Sequence, residues 1–377
     1  MPATWIYVLA VPAVSAVAAG TYRGYVRARR ARSPQAADRN PGPEFGYAYI
    51  AWQVEHAPRW FHHFMAWIGT WVAYWTLPGQ RACSREFLAL ALGRPATRRE
   101  VWTHFRAYTE YIFVRMATAG GREPRIRFAH GHGDELRAFL AGDGSKEGEG
   151  APAALYGTMH LGHSDLIGFF LGHLGGRLHM VRKQVGNSED TERLSRRYAR
   201  DVSIIWINDW SRLVLAMNDA LRAGRSLALQ CDRPEYSSKL EAFEFFGARR
   251  LFPFTIYHLA IMHGLPVVMS FAVPDEADPG MTVVHVLPMF RPVPERIRTE
   301  NFAAAHAHFQ SFLAAVETQL RRTPFLWFNY TPMNPPADAA MASGMSAVGR
   351  RLRTAAVEAG GRRADAKAAD AAGVRSA

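Results

Sequence analysis

The chain has 377 residues, 49% hydrophobic and 21% charged, which excludes a globally disordered, collagen-like or polytopic membrane protein and allows one large domain or two ordinary ones with tails. The formal net charge of +12 sits largely at the ends: residues 1–32 carry five Arg and no acid, and residues 337–377 carry six Arg and one Lys against four acids. Only +4 remains for the middle, so a basic nucleic-acid-binding domain is excluded there, and the two cysteines, Cys83 and Cys231, offer no disulfide framework and fit a reducing compartment.

From Met1 to Tyr22 there is no charged side chain, and TWIYVLAVPAVSAVAAG is apolar enough to predict a membrane anchor. Arg23, Arg27, Arg29, Arg30 and Arg32 follow at once, which by the positive-inside rule places everything downstream in the cytoplasm. A buried or interfacial helix and a cleaved signal peptide are the rivals; no Lys or Arg precedes the apolar stretch, as a signal peptide would require. The expected organisation is an anchor and basic arm over 1–32, one folded domain over 43–336, and a structureless tail over 337–377 rich in Ala, Arg and Gly.

In FHHFMAWIGTWVAYWTLPGQ, from Phe61 to Gln80, Trp67, Trp71 and Trp75 share one helical face. Such a stripe suits either a lipid headgroup layer or the core of the domain. Helical periodicity continues over Arg99 to Met116, with Thr97 as N-cap and Glu100 as its capping-box partner. After a polar linker, AGDGSKEGEG, strands and helices alternate: AALYGTM, LIGFFLGHL, LHMVRK, DTERLSRRYARD, SIIWIN, SRLVLAMNDALRAG, SLALQC, TIYHLAIMHG, LPVVMSFAV and TVVHVLP. Alternation of this kind predicts an α/β fold, a mostly parallel central sheet with helices on both faces. In such sheets ligands bind beyond the carboxyl ends of the strands, so polar residues that follow a strand are the first candidates for chemistry.

HLGHSD holds His160 and Asp165, five positions apart, on a turn after AALYGTM. The same spacing occurs once more, at His130 and Glu135, where no apolar strand precedes the histidine and the acid opens a surface helix; that match reads as chance. A turn can fold the carboxylate of Asp165 onto the imidazole of His160, which fixes the tautomer and stabilises the imidazolium. Asp232 and Arg233 follow SLALQC directly, an aromatic loop comes next, and Arg249-Arg250 precede an apolar helix.

GTMHLGHSD, QCDRP, and FEFFGARRLFPF leading to HLAIMHGLPVV resemble the successive motifs of the bacterial lipid A biosynthesis acyltransferases, of the lysophospholipid acyltransferase superfamily. FLALALGRPATRREVWTHFRAY resembles their upstream segment and PFLWFNYTP their closing Trp motif, so the resemblance spans Trp67 to Pro332. It implies a membrane-associated transferase that moves a fatty acyl chain from an acyl thioester, on acyl carrier protein or coenzyme A, to a hydroxyl of a lipid or glycolipid, with no cofactor and no metal. His160 would be the base, Asp165 its acidic partner, and Asp232 falls in the block that carries a further acid. His163-Ser164 stand where the family usually has Asn-Trp, Asp165 where Glu is commoner, and Gln230 at a position often acidic, so lipid A itself is not implied as acceptor.

The chemistry suits these residues independently: an imidazole accepts the hydroxyl proton near neutral pH, and a fixed cation or backbone N–H groups hold the oxyanion. Arg182 is a candidate for the oxyanion or a phosphate, and Arg233, Arg249 and Arg250 for a carrier phosphate or an acidic headgroup. Phe243, Phe245 and Phe246 could line an acyl groove, though such density is common in cores. Two rival readings remain: a serine hydrolase built on Gly162-His163-Ser164, which lacks the second Gly of a nucleophile elbow because Leu166 stands there, and a non-catalytic membrane-binding protein.

Overall fold

The computed structural model describes residues 50, 52–123, 125–129, 131–142, 151–173, 177–183, 189–200, 202–207, 210–234, 237 and 239–337. The expected anchor over 1–32 and the tail beyond 337 lie outside the described residues. No described helix is long and apolar enough to cross a membrane.

Residues 50 and 52–56 are helical, and after them come α1 (Arg59–Thr76), α2 (Pro78–Leu92) and α3 (Arg98–Ala119). The capping box of α3 forms as its sequence predicts, with the Thr97 hydroxyl accepting from Glu100 N–H and the Glu100 carboxylate accepting from Thr97 N–H. In α1 the residues Phe61, Ala66 and Thr70 are buried, and the Thr70 hydroxyl donates to Thr109 Oγ1 of α3 at 3.2 Å. The opposite face is apolar yet uncovered: Trp60, Phe64, Trp67, Trp71 and Trp75, spaced by three or four, are all exposed, Trp75 to 59%. The stripe therefore does not belong to the core.

Among the described residues nine strands and six further α-helices follow. The strands are β1 (Arg125–Phe128), β2 (Leu155–Thr158), β3 (Leu178–Arg182), β4 (Val202–Trp206), β5 (Ser226–Gln230), β6 (Leu240–Phe245), β7 (Ala248–Pro253), β8 (Val267–Pro274) and β9 (Met281–Val286). The helices are α4 (Gly133–Ala141), α5 (Ile167–His173), α6 (Glu189–Arg197), α7 (Trp210–Arg222), α8 (Thr255–His263) and α9 (Arg298–Arg322). Seven strands form one sheet in the order β1-β9-β8-β2-β5-β3-β4, parallel throughout except where β8 and β9 pair antiparallel. Side chains alternate between two hydrophobic clusters, as a sheet covered on both faces requires. Leu155, Leu227, Val267 and Met269 join α7, α8 and α9 on one face, and Tyr156, Met180, Val268 and Ala272 join α4, α5 and α6 on the other.

The sequence reading needs correcting at two elements. β1, RIRF, does precede the His130 region; its alternation of Arg with apolar residues hides a short edge strand. His130 itself lies outside the described residues, and Glu135 accepts instead from His132, at 3.2 Å. The expected aromatic loop is the antiparallel hairpin β6–β7, closed by Phe246 and Gly247 at φ 51° and 71°. Its aromatic residues are core: Phe243, Phe245 and Phe246 are buried against α2, α9 and one another, so none lines a groove.

At the sheet's carboxyl edge, Gly162 sits at φ 53°, and a Cβ there would lie 2.5 Å from the Ala272 carbonyl oxygen. Left-handed backbone costs an L-residue about 1–2 kcal/mol, and this approach adds a clash with rigid backbone of β8. Gly162→Ala should therefore lower the melting temperature and abolish activity together; a variant as stable as wild type would show that the turn can relax away from β8.

Candidate active site

β2 and β5 are neighbours with Thr158 opposite Gln230, and Cys231 N–H extends the pairing by donating to Thr158 O at 2.7 Å. The next residues on each strand are therefore brought together: His160 after β2 and Asp232 after β5. The His160 Nδ1–H donates to Asp232 Oδ1 at 2.8 Å, and the His160 main-chain N–H donates to Oδ2 at 3.0 Å. A third donor comes from far along the chain, the indole N–H of Trp327, also 3.0 Å from Oδ2. Asp232 is fully buried, which by itself would raise its pKa, yet His160 and Arg233 and the hydrogen bonds from His160 hold it down at about 2, so the carboxylate stays ionised. With the Nδ1 proton committed to Asp232, Nε2 is the basic nitrogen of His160. It makes no hydrogen bond among the described residues, on a side chain that is 21% exposed. Burial, and then Arg233, push the His160 pKa below its ordinary 6.5, against the pull of Asp232.

Asp165 is not the partner expected from the sequence. It accepts from Arg182 Nη2 at 2.6 Å, from the Tyr111 hydroxyl at 3.1 Å and from the Arg115 guanidinium, so its lone pairs are occupied by α3 and β3. Arg115 and Arg182 hold its pKa far below the carboxylate range in spite of burial. Its charge still favours a protonated His160, though less than Asp232 does. Tyr111 and Arg115 escaped the sequence reading although their spacing of four puts them on one face of α3. Nothing local tells that this face meets a turn some 50 residues later.

The other candidates are dispersed. Arg182 is in the site through Asp165. Arg233 follows Asp232, acts on His160 by charge, and donates through Nε to Asn329 Oδ1 at 3.0 Å. Arg249 and Arg250 lie on β7 of the hairpin, Arg249 exposed beside Glu244 and Arg250 buried, donating to the Asn334 carbonyl at 2.9 Å. Neither contacts the His160 cluster, so a headgroup role is not visible in their contacts. Ser164 is buried, its hydroxyl donating to Leu161 O at 2.5 Å and accepting from Ala272 N–H at 2.8 Å. Among the described residues it has no imidazole partner, and its neighbour His163 bonds through Nδ1 to Thr282 Oγ1 at 2.8 Å.

Beside the cluster, between α5 and the sheet, lies a narrow cleft with a cavity volume of about 30 Å3. Leu171, Met180 and Leu229 are among its apolar walls, and Thr158, Gln230 and Arg182, the last residues of three adjacent strands, reach it too. Among the described residues Thr158 Oγ1, Gln230 Nε2 and Arg182 Nη1 are buried and reach no hydrogen-bond partner. The cleft therefore pairs an apolar lining with donors for an acceptor oxygen at the sheet edge. Among the described residues no group of His, Cys, Asp or Glu is arranged to hold a metal ion.

The chain matches no family model and no curated protein sequence. Among solved structures it is similar to the 1-acyl-sn-glycerophosphate (LPA) acyltransferase PlsC from Thermotoga maritima, at 12% identity and a TM-score of 0.32, over 71% of this chain and 98% of that one.

Two histidines are buried in the neutral form: burial holds His104 and His163 at about 4. Between that value and the ordinary 6.5 the unfolded chain binds more protons than the native one, so each contributes stability that falls as pH drops from about 6.5 toward 4, by about 1.4 kcal/mol per pH unit at most. The urea midpoint should fall across this window, and His163→Gln should flatten the fall. An equally steep loss in that variant would assign the effect to other groups.

Proposed function

We propose that this chain is an O-acyltransferase that moves a fatty acyl group from an acyl thioester, carried by acyl carrier protein or coenzyme A, to a hydroxyl of a lipid or glycolipid at a membrane surface. The observation that carries this reading is the pairing of His160 Nδ1–H with a buried, ionised Asp232, which leaves Nε2 as a base at the carboxyl edge of the sheet. The acceptor hydroxyl gives its proton to Nε2 as its oxygen attacks the thioester carbonyl. Asp232 stabilises the imidazolium. The tetrahedral oxyanion then collapses, the carbon–sulfur bond breaks, and the imidazolium returns its proton to the departing thiolate. Donors at the sheet edge, above all Arg182 Nη1, suit the oxyanion. The motifs from Trp67 to Pro332 that resemble the lipid A biosynthesis acyltransferases support the same class.

A serine hydrolase is disfavoured because both hydrogen-bonding capacities of the Ser164 hydroxyl are used by backbone. A membrane surface is favoured by the exposed aromatic stripe of α1, where indole rings meet the headgroup layer with apolar body and polar N–H. The basic arm of residues 23–32 would add attraction to anionic lipid at the cytoplasmic face of the inner membrane.

His160→Ala and Asp232→Asn should each lower turnover by about 10²-fold or more. Thiol released from palmitoyl-coenzyme A, with a total lipid extract as acceptor and the acylated product identified by mass spectrometry, reads this. Turnover within tenfold of wild type in His160→Ala would overturn the base assignment. Because the His160 pKa is depressed, activity should persist below pH 6.5 and be lost only as pH falls through that lower value. Arg233→Gln should move this limb upward; an unmoved limb would detach Arg233 from the base. Replacing Trp67, Trp71 and Trp75 together by Ser should weaken sedimentation with phospholipid vesicles severalfold while the melting temperature changes little. Unchanged binding would rule out the stripe as the lipid contact.

A further inference from the structure

The segment after α9 runs back across the His160 turn. Gly162 N–H donates to Leu326 O and Phe328 N–H donates to His160 O, both at 2.7 Å, and Leu161 pairs antiparallel with Trp327. This places the Trp327 ring, 1% exposed, edge-on to Phe87 at 4.7 Å and Phe245 at 5.9 Å, with its N–H on Asp232. A phenylalanine would fill the same aromatic box without offering that donor. The main chain of Trp327 is held in turn by α3: its carbonyl accepts from His104 Nε2–H at 2.8 Å. His104 Nδ1 must then be bare and accepts from the Ser84 hydroxyl of α2 at 2.9 Å, so both ring nitrogens are committed in the neutral tautomer. Tyr330 stacks on the His104 ring at 4.7 Å and donates to its carbonyl at 2.9 Å.

We infer that Trp327 is a positioning residue for His160, acting by fixing Asp232, and that His104 acts through Trp327. The inference rests on the reading of His160 as base. Its logic is one of charge. Asp232 must be both oriented and fully negative, because an imidazolium forms beside it. A cationic donor would orient the carboxylate but cancel its charge, as Arg115 and Arg182 do at Asp165. The indole N–H is neutral: it orients Asp232 and leaves the charge for His160. With it in place the carboxylate holds the ring in the Nδ1–H tautomer, the only neutral form with a basic Nε2.

The test compares Trp327→Phe, His104→Phe and His104→Gln with wild type in the full chain, by ¹⁵N NMR of the His160 ring and by the palmitoyl-coenzyme A assay. In wild type the neutral His160 should carry its proton on Nδ1 alone. Trp327→Phe should give a mixture of tautomers and a kcat lower by roughly 10- to 100-fold, the worth of a hydrogen bond to a charged group, with KM nearly unchanged. His104→Phe should shift both readouts in the same direction by less, and His104→Gln, whose amide N–H can reach the Trp327 carbonyl, should restore them. Trp327→Phe combined with His104→Phe should be no worse than Trp327→Phe alone, since the two act along one chain. A folded Trp327→Phe with His160 still wholly protonated on Nδ1 would overturn the inference, and losses that add in the double variant would remove His104 from it. If Trp327→Phe does not fold, the His104 pair decides by the same readouts. Absence of acyl transfer in wild type would overturn the proposed function, while the tautomer comparison would still decide the positioning role.

Discussion

Everything at the sheet edge depends on keeping one buried carboxylate ionised. Asp232 has no access to water, and an unpaired charge so placed would cost several kcal/mol or be protonated. Hydrogen bonds to a charged acceptor contribute about 1.5–3 kcal/mol each, so the N–H groups of His160 main chain, His160 ring and Trp327 are enough to offset that cost. Each donor has a structural precondition. The first two need β2 and β5 to be neighbours in register, and the third needs residues 324–330 to lie across the His160 turn. The parallel sheet and the closing segment thus converge on a single charge.

Two aspartates sit on this edge in opposite electrostatic environments. Asp165 is matched by two guanidiniums, leaving a net positive charge around it; it cannot act as a base and instead ties α3 to β3 across the turn. Asp232 takes its hydrogen bonds from neutral donors and His160, while Arg233 acts on it by charge without a hydrogen bond to it among the described residues. Of the two carboxylates, Asp232 favours a protonated His160 more, against burial and Arg233. The division of labour follows from the kind of donor each carboxylate meets, and the five-residue spacing of His160 and Asp165 does not reveal it.

What the sequence disclosed and what it hid divide along the range of the interactions. The alternating strands and helices were legible because apolar runs such as LPVVMSFAV and turn residues such as Gly264 are local signals. His160 and Asp232 were legible because each directly follows such a run. The hairpin was not, because its turn places Phe246, a residue type that avoids positive φ, where Asn would be the usual signal; burial of the ring against Phe87 and the Glu317 carboxylate on its N–H hold it there. The partners of Asp165 were hidden because Arg115 and Tyr111 arrive from a helix whose place on the sheet is a tertiary fact. Exposure of the α1 stripe was undecided for the same reason: Trp67, Trp71 and Trp75 have the same spacing whether or not another element covers them.

α3 gives these separate findings a common frame. Its N-terminal half holds Trp327 through His104, and its C-terminal half holds Asp165 through Tyr111 and Arg115. The same helix carries α1, through Thr109 and Thr70 and the packing of Tyr74 on Phe105 at 5.9 Å. The exposed aromatic face of α1 is thus one helix away from the groups that set the two aspartates. A lipid gathered by that face would meet the edge of the sheet with its partners already fixed, because α3 is tied to the turn, to β3 and to the closing segment by buried hydrogen bonds. These cost more to break than a surface contact supplies. The geometry therefore favours a site whose partners are already fixed, with α3 as the rigid element between the exposed aromatic face of α1 and the His160 edge of the sheet.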